Sequence, residues 1–374
     1  MTDGRRLLFS RPEAPVLGRE RVRQGICVER RLKRVHKKRR VSYGTAVVAM
    51  ALLAVCLWRI VTEATATPSC TIFTAVSNGQ VLFGNNEDHH QRELLVGFRP
   101  ASSEGYGAVY FGHRRRDGTP QYEGAVNQFG LAWDINSAPR ARLNPQAGRA
   151  RSKSDESYFG IITRRATTAE GAIRIAKDFD FGDSMAYQIH IADASGDAVI
   201  IGAGADGELA FTRIARPEGH LVSTNFNRAD YKASEVGWRY ETAMEMLGEV
   251  GGNQSLTPGY ATSVLNAVHL NMLTTYTLYS NVVDLPNKAI YLNYMSQYGE
   301  TAILDIAEEL AKGARVVSMR ELFSAETASA GDIAYGRFER RFTSAKVGVV
   351  ATGVAILGGT ALLVLRLLRR RLDS

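Results

Sequence analysis

The chain holds three cysteines, Cys27, Cys56 and Cys70, and only Cys70 falls between residues 59 and 345. A single thiol in that stretch excludes a disulfide framework and a thiolate zinc site there. Two roles stay open for it. It is a nucleophile, or it is a buried structural side chain. A cysteine nucleophile acts as its thiolate, attacks a carbonyl carbon and carries the acyl group as a covalent intermediate. Two other features bear on chemistry. His89 and His90 are adjacent imidazoles with no third ligand in view, so they are expected on the solvated surface rather than at a metal. His190 alternates within the apolar run Met185 to Ala192 and is expected in the core. No metal and no cofactor is expected.

The elements that would position these residues are mixed. Thr71 to Val76 and Gln80 to Gly84 flank Ser77-Asn78-Gly79, a β-hairpin signal. Tyr106 to Gly112 and Gly130 to Ile135 read as strands. Met185 to Ala192 and Ala198 to Gly202 flank Asp193-Ala194-Ser195-Gly196-Asp197, and Leu278 to Leu285 and Lys288 to Tyr294 flank Pro286-Asn287, giving two more hairpins. Thr167-Thr168-Ala169-Glu170 has capping-box spacing and opens a helix to about Phe179. Trp238 to Leu247, Pro258 to Leu270 and Glu300 to Lys312 read as helices. Strands grouped before, between and after helices indicate α+β layers rather than strict βαβ alternation.

Charge is placed unevenly along the 374 residues. Residues 1–40 carry a net +10 and residues 366–374 a net +3, so the formal +8 leaves −5 for the segment between them. A central domain of that sign argues against a nucleic-acid binder, which carries its own basic footprint. Both basic ends abut uncharged apolar runs, Val41 to Trp58 and Val347 to Leu365, of eighteen and nineteen residues. About 20 residues cross a hydrocarbon core, and Lys and Arg favour the cytoplasmic side. The expected topology has both termini inside and residues 59–345 outside. The first run is also compatible with a signal peptide whose cleavage pattern is Ala64-Thr65-Ala66.

The segment Cys70 to Asp88, CTIFTAVSNGQVLFGNNED, resembles the start of mature N-terminal-nucleophile amidases. The nearest group is the linear amide C–N hydrolases: penicillin V acylases, bile-salt (choloylglycine) hydrolases and acid ceramidase relatives. That family begins with Cys-Thr, passes through a hairpin and reaches Gly-Arg-Asn-x-Asp. Here the motif is Gly84-Asn85-Asn86-Glu87-Asp88. Gly124 to Leu131, GAVNQFGL, resembles the family's Asn-x-x-Gly-Leu segment. Ser223-Thr224-Asn225-Phe226 resembles its Thr-Asn motif, Trp238-Arg239-Tyr240 the site of its second arginine, and TLYSNVVDLPNKAIYLNY its late hairpin. The likeness spans about residues 70–325.

The resemblance implies a four-layer αββα sandwich, flanked here by the two apolar segments. It implies Cys70 as nucleophile, its α-amine serving as base near working pH because such amines titrate at about 8. Asp88 would orient that amine. Asn127 and Asn225 would donate to the tetrahedral oxyanion, and Arg239 would favour the thiolate. Asn85 stands where the family carries an arginine, so it is expected to line the substrate site without charge.

The expected organisation follows. Residues 1–40 form a basic tail, 41–58 a membrane segment or signal anchor, and 59–69 a connector or propeptide end. Residues 70–325 form the amidase domain, 326–346 a connector, 347–365 a transmembrane helix and 366–374 a second tail. The expected function is hydrolysis of an N-acyl amide by an outward-facing, membrane-anchored cysteine amidase, possible as a homo-oligomer. A free α-amine requires the Ser69–Cys70 bond to be cut, by a peptidase or by the nucleophile itself. The competing class is a non-catalytic membrane receptor or scaffold on the same fold.

Overall fold

The computed structural model describes residues 69–90, 93–146, 148–151, 157–214 and 219–372. Glu63–Lys346 form one compact unit, and Val347–Ser374 belong to another. The strands in chain order are β1 (Thr71–Ser77), β2 (Gln80–His89), β3 (Leu94–Arg99), β4 (Ala108–Arg114), β5 (Pro120–Asn127), β6 (Ala132–Arg142), β7 (Ala150–Arg151), β8 (Phe179–Asp180), β9 (Ser184–Ala192), β10 (Ala198–Ala203), β11 (Leu209–Arg213), β12 (Gly219–Ser223), β13 (Tyr276–Asp284), β14 (Ala289–Tyr294), β15 (Gln297–Asp305) and β16 (Arg315–Ser318). The helices are α1 (Tyr158–Arg165), α2 (Ala169–Lys177), α3 (Trp238–Gly248), α4 (Pro258–Ala267), α5 (Ile306–Ala311) and α6 (Ala325–Leu372).

Two sheets carry the site. The smaller runs β12-β1-β2-β13-β14-β15 and the larger runs β11-β10-β9-β6-β5-β4-β3-β16. Ladders between neighbours in both sheets are antiparallel. One buried cluster fills the space between the sheets and includes Ile72, Val81, Phe83, Val109, Phe111, Val126 and Tyr279. A second joins the outer face of the larger sheet to α1 and α2 through Trp133, Ile189, Ile191, Ile162 and Ile173. A third joins the outer face of the smaller sheet to α3 and α4 through Phe73, Leu82, Val282, Leu247 and Val264. The order is therefore helices, sheet, sheet, helices, the four-layer α+β sandwich expected.

Side-chain alternation along a strand assigns faces. In β2, Val81 and Phe83 face the other sheet, so Asn85 and Glu87 do too, whereas Asn86 and Asp88 share the helix side with Leu82. In β6, Ala132 belongs to the inter-sheet cluster and Trp133 to the outer one, which turns Asp134 and Asn136 inward. The hairpin joining β1 and β2 turns at Asn78 and Gly79, with φ of 51° and 77°, the left-handed pair that a two-residue turn needs.

Three expectations change. Glu300 to Lys312 is not one helix. Residues 300–305 complete β15, paired with β14, and the helix is confined to α5. The turn between those strands puts Met295 and Ser296 at φ of 47° and 57°. It contains no Gly or Asn, the residues that normally announce such a turn. Segment 326–346, expected as a connector, is helical throughout as the first part of α6. Its Ala328, Gly331, Tyr335 and Phe338 are buried, with Phe342 partly so, a spacing of three and four residues that makes one apolar helix face. Finally, among the described residues no helix is long and apolar enough to cross a membrane. Residues 41–58 lie outside the described residues, and 347–365 lie within α6, so the flanking spans lack structural support.

Candidate active site

Cys70 leads into β1 and is 2% exposed. Its thiol lies 3.5 Å from Glu87 Oε2 as donor to that carboxyl. Burial pushes the thiol well up, and Glu87, Asp134 and Asp88 push it further, while a backbone hydrogen bond at Asp88 acts the other way. Burial also raises the carboxyl of Glu87, with Asp134, Glu123 and Asp88 adding to it, and raises Asp134. Like charges in a dry interior hold one another protonated. Asn85 Nδ2 donates to Asp134 Oδ2 at 2.9 Å. Asn136 Nδ2 donates to the Cys70 carbonyl oxygen at 3.0 Å. The hydroxyl of Tyr279, which pairs with Glu87 in register, and the amide oxygens of Asn85, Asn136 and Asn281 are buried without a hydrogen-bond partner.

On the helix side of the smaller sheet, Arg239 from the first turn of α3 gathers the start of the domain. Its Nη1 donates to Thr71 Oγ1 at 2.9 Å, to the Cys70 carbonyl at 3.2 Å and to the Ser69 carbonyl at 3.4 Å, and pairs with Asp88 Oδ2 at 3.3 Å. Its Nη2 donates to Ser69 Oγ at 2.8 Å and to Asn225 Oδ1 at 2.7 Å. Ser69 Oγ donates to Asn225 Oδ1, and Ser69 N donates to the Asp88 carbonyl, each at 2.8 Å. Asp88 Oδ1 accepts from the Thr277 hydroxyl. Burial raises the Asp88 carboxyl to about 7, although Arg239 and Thr277 pull it down.

Cys70, Asp88, Asn225 and Arg239 thus come together, and Asn85 lies on the thiol side beside Asp134. Asn127 does not join them. It ends β5, where its Oδ1 accepts from Phe129 N and Leu131 N and its Nδ2 donates to the carbonyls of Thr163 and Ala166. All its bonds hold the β5–β6 turn to α1. Asn136, nine residues on, is the amide that reaches Cys70. The polar pair Asp134 and Asn136, two apart in the run Ala132 to Asn136 that is otherwise apolar, carried that signal. Arg239 also differs from expectation, because it faces the backbone around Cys70 while the thiol faces carboxyls. Its charge does not offset the upward push on the thiol.

His89 and His90 are half-buried and stacked at 4.6 Å, with His113 6.0 Å from His89, rather than fully solvated. Burial lowers all three, His89 to about 4. His190 is a core residue, bonded to Thr74 and Ser223 and held down to about 3 by burial. Among the described residues no group of three or more His, Cys, Asp or Glu is arranged to hold a metal.

No family model matches the chain, and no curated relative matches it either. Solved structures do. The chain is similar to penicillin V acylase from Agrobacterium tumefaciens, at 16% identity over 66% of this chain and 90% of that one, with a TM-score of 0.48. It is also similar to two variants of conjugated bile acid hydrolase from Clostridium perfringens. Each is 13% identical over 67% of this chain and 96% of the other, with TM-scores of 0.43 and 0.42.

Proposed function

We propose that this chain is a cysteine amidase that hydrolyses a linear amide C–N bond in an N-acyl substrate through an acyl-enzyme on Cys70. One observation carries the reading. The buried thiol, the Nδ2 of Asn136 and the guanidinium of Arg239 all meet at Cys70, the residue just before β1.

The chemistry requires the Ser69–Cys70 bond to be cut. The freed α-amine, whose reference pKa is about 8, then sits beside the carboxyl of Asp88 and takes the thiol proton. Sulfur attacks the substrate carbonyl, and the amine returns the proton to the leaving nitrogen. Asn136 and Asn225 offer amide donors to the oxyanion, each typically worth about 3 kcal/mol of barrier. Their donors now rest on the carbonyls of Cys70 and Ser137, groups that a substrate oxygen would replace. Water resolves the acyl-enzyme. The catalytic unit faces outward, held to a membrane by the apolar run 347–365, because the cut before Cys70 detaches the run 41–58. A tether of that kind fits an acyl chain of lipid character.

The non-catalytic reading keeps one observation in its favour. In the uncut chain the thiol is raised, and Asn85 brings no charge to it. The two readings separate on the mature N-terminus, read by mass spectrometry of protein purified from membranes, together with hydrolysis of a panel of acyl amides. A chain beginning at Cys70 that turns over an acyl amide, with Cys70→Ala inactive, is expected. An uncut chain that hydrolyses none, and whose thiol resists a small electrophile at neutral pH, would establish the scaffold.

A further inference from the structure

The inter-sheet face beside the Cys70 thiol is rich in hydrogen-bond acceptors and short of donors. Strand parity turns Asn85 and Glu87 of β2, Tyr279 and Asn281 of β13, and Asp134 and Asn136 of β6 into that space, and Tyr279 and Asn281 pair in register with Glu87 and Asn85. Glu123 acts on Glu87 and Tyr279 as well. It is the extra residue where the β4–β5 register shifts between Phe111 and Gly112, a bulge of the kind that re-aims a side chain. Gly124 stands opposite Asp134, where a Cβ would strike the carboxyl. The amide oxygens of Asn85, Asn136 and Asn281 and the hydroxyl of Tyr279 are buried with no hydrogen-bond partner. Two of these amides cannot be turned over, because Asn85 Nδ2 donates to Asp134 and Asn136 Nδ2 to the Cys70 carbonyl. Among the described residues no Lys or Arg bonds to Glu87, Asp134 or Glu123. Arg115 reaches Glu123 only through Gln121, which bonds to both.

A buried polar atom without a partner is costly, and each one asks for a group that satisfies it. Four of them beside three carboxyls ask for several N–H donors on one positive charge. A primary ammonium brings three donors. A carboxylate would be repelled there, and a methyl group would leave every acceptor unpaired. We infer that the substrate carries an ammonium group in its amine half, and that Glu87, Asp134, Glu123 and the free amide oxygens beside them receive it. This rests on the amidase reading above and adds to it the charge of the substrate. The acyl half, of lipid character in that reading, has no use for such acceptors. The thiol lies 3.5 Å from Glu87, so a short carbon spacer joins the ammonium to the scissile amide. Burial raises Glu87 and Asp134, and raises Glu123 against the pull of Gln121 and Arg115. The other titratable groups facing them are Cys70, Asp88 and Tyr279, none of them a cation. An ammonium favours the ionised carboxyls, so its arrival expels a carboxyl proton and its binding tightens as pH rises. An α-ammonium at residue 70 offsets one of these acids, not three.

The test uses three hexanoyl amides of similar length that differ at the far end of the amine: an ammonium (N-hexanoyl-1,4-diaminobutane), a methyl (N-hexanoylpentylamine) and a carboxylate (N-hexanoyl-5-aminopentanoate). Titration calorimetry reads their binding to the full chain carrying Cys70→Ala, which consumes no probe. The ammonium probe is expected to bind about 10-fold or more tightly than the methyl probe, the scale of one charge-assisted hydrogen bond, and the carboxylate probe most weakly. Proton release is expected with it, seen as heats that differ between two buffers of unlike ionisation enthalpy. Glu123→Gln in the same chain, with its melting transition retained, is expected to cut the ammonium advantage about 10-fold. Should that variant lose its transition, Asp134→Asn is read instead. No binding of the ammonium probe, equal binding of the ammonium and methyl probes, binding without proton release, or an undiminished advantage in the folded variant would overturn the inference. Turnover separates it from the reading beneath it. A wild-type chain that hydrolyses the methyl probe at least as well as the ammonium probe would overturn the charge assignment alone. Binding of the ammonium probe, with wild type hydrolysing none of the three, would overturn the amidase reading alone.

Discussion

Cys70 and Asp88 serve one residue from opposite faces of the smaller sheet, the thiol inward against Glu87 and the carboxyl outward against Arg239. That division was legible in part. The types Cys70, Asp88, Asn225 and Arg239 follow from motif order, but the motif singles out Asn127 and leaves Asn136 unannounced, because a short motif does not say which amide faces inward. Strand parity does. The two asparagines give a paired prediction. Asn136→Ala should lower kcat by about 10²–10³-fold with stability nearly kept, as expected for an oxyanion donor. Asn127→Ala should leave turnover per folded molecule unchanged and cost about 1–3 kcal/mol in urea denaturation, because buried backbone groups lose partners. Asp88 predicts a pH effect. Burial holds its carboxyl at about 7, above its ordinary value of 3.8, so the folded state binds the extra proton. The associated stability is complete below about pH 4 and is lost as pH rises through 7. Glu87 and Asp134 act in the same direction. Urea midpoints measured from pH 4 to 8 should fall less steeply in Asp88→Asn than in wild type.

The elements follow local chemistry closely where that chemistry is present. Thr168 caps α2 by accepting from Gly171 N, and Thr257 caps α4 with Pro258 in its first turn, so the helix starts read from sequence fell within a residue or two. Where the cue was missing the reading failed, as at the β14–β15 turn. Glycines mark the tight places. Gly84 pairs with Phe73 across β1 and β2, and a Cβ there would strike the Phe73 ring. The glycine of the recognised motif therefore makes room for an aromatic ring on the helix side. Gly84→Ala should destabilise by about 1–3 kcal/mol through overpacking. Thermal unfolding checks this, and an unchanged melting temperature would show that the ring swings aside at little cost.

At the scale of the molecule, the sandwich was legible because strands and helices came in separable groups, but the docking of α6 was not. Its buried positions are small or aromatic residues spaced among Glu, Arg and Asp, which read locally as a polar connector. The packing gives it a structural role. Phe338 is fully buried beside Tyr276 and Tyr335, so Phe338→Ala should cost about 3–5 kcal/mol. Removing residues 347–374 should leave the melting temperature of the remaining unit nearly unchanged, whereas a chain ending at 324 should lose its cooperative transition. Calorimetry of the two truncations decides between a docked strut and a passive linker.

The acids around Cys70 are frustrated in the uncut chain. Glu87 and Asp134 crowd the thiol on one face, while Asp88 and Arg239 pair on the other. Opening the bond before Cys70 places an α-amine among them, and once that amine takes the thiol proton it is the counter-ion that the sequence itself never encodes as a side chain. Breaking the backbone would then relieve strain rather than introduce it, because a buried charge is tolerable only when paired. The severed protein would be the more stable one, with maturation running downhill electrostatically as well as chemically.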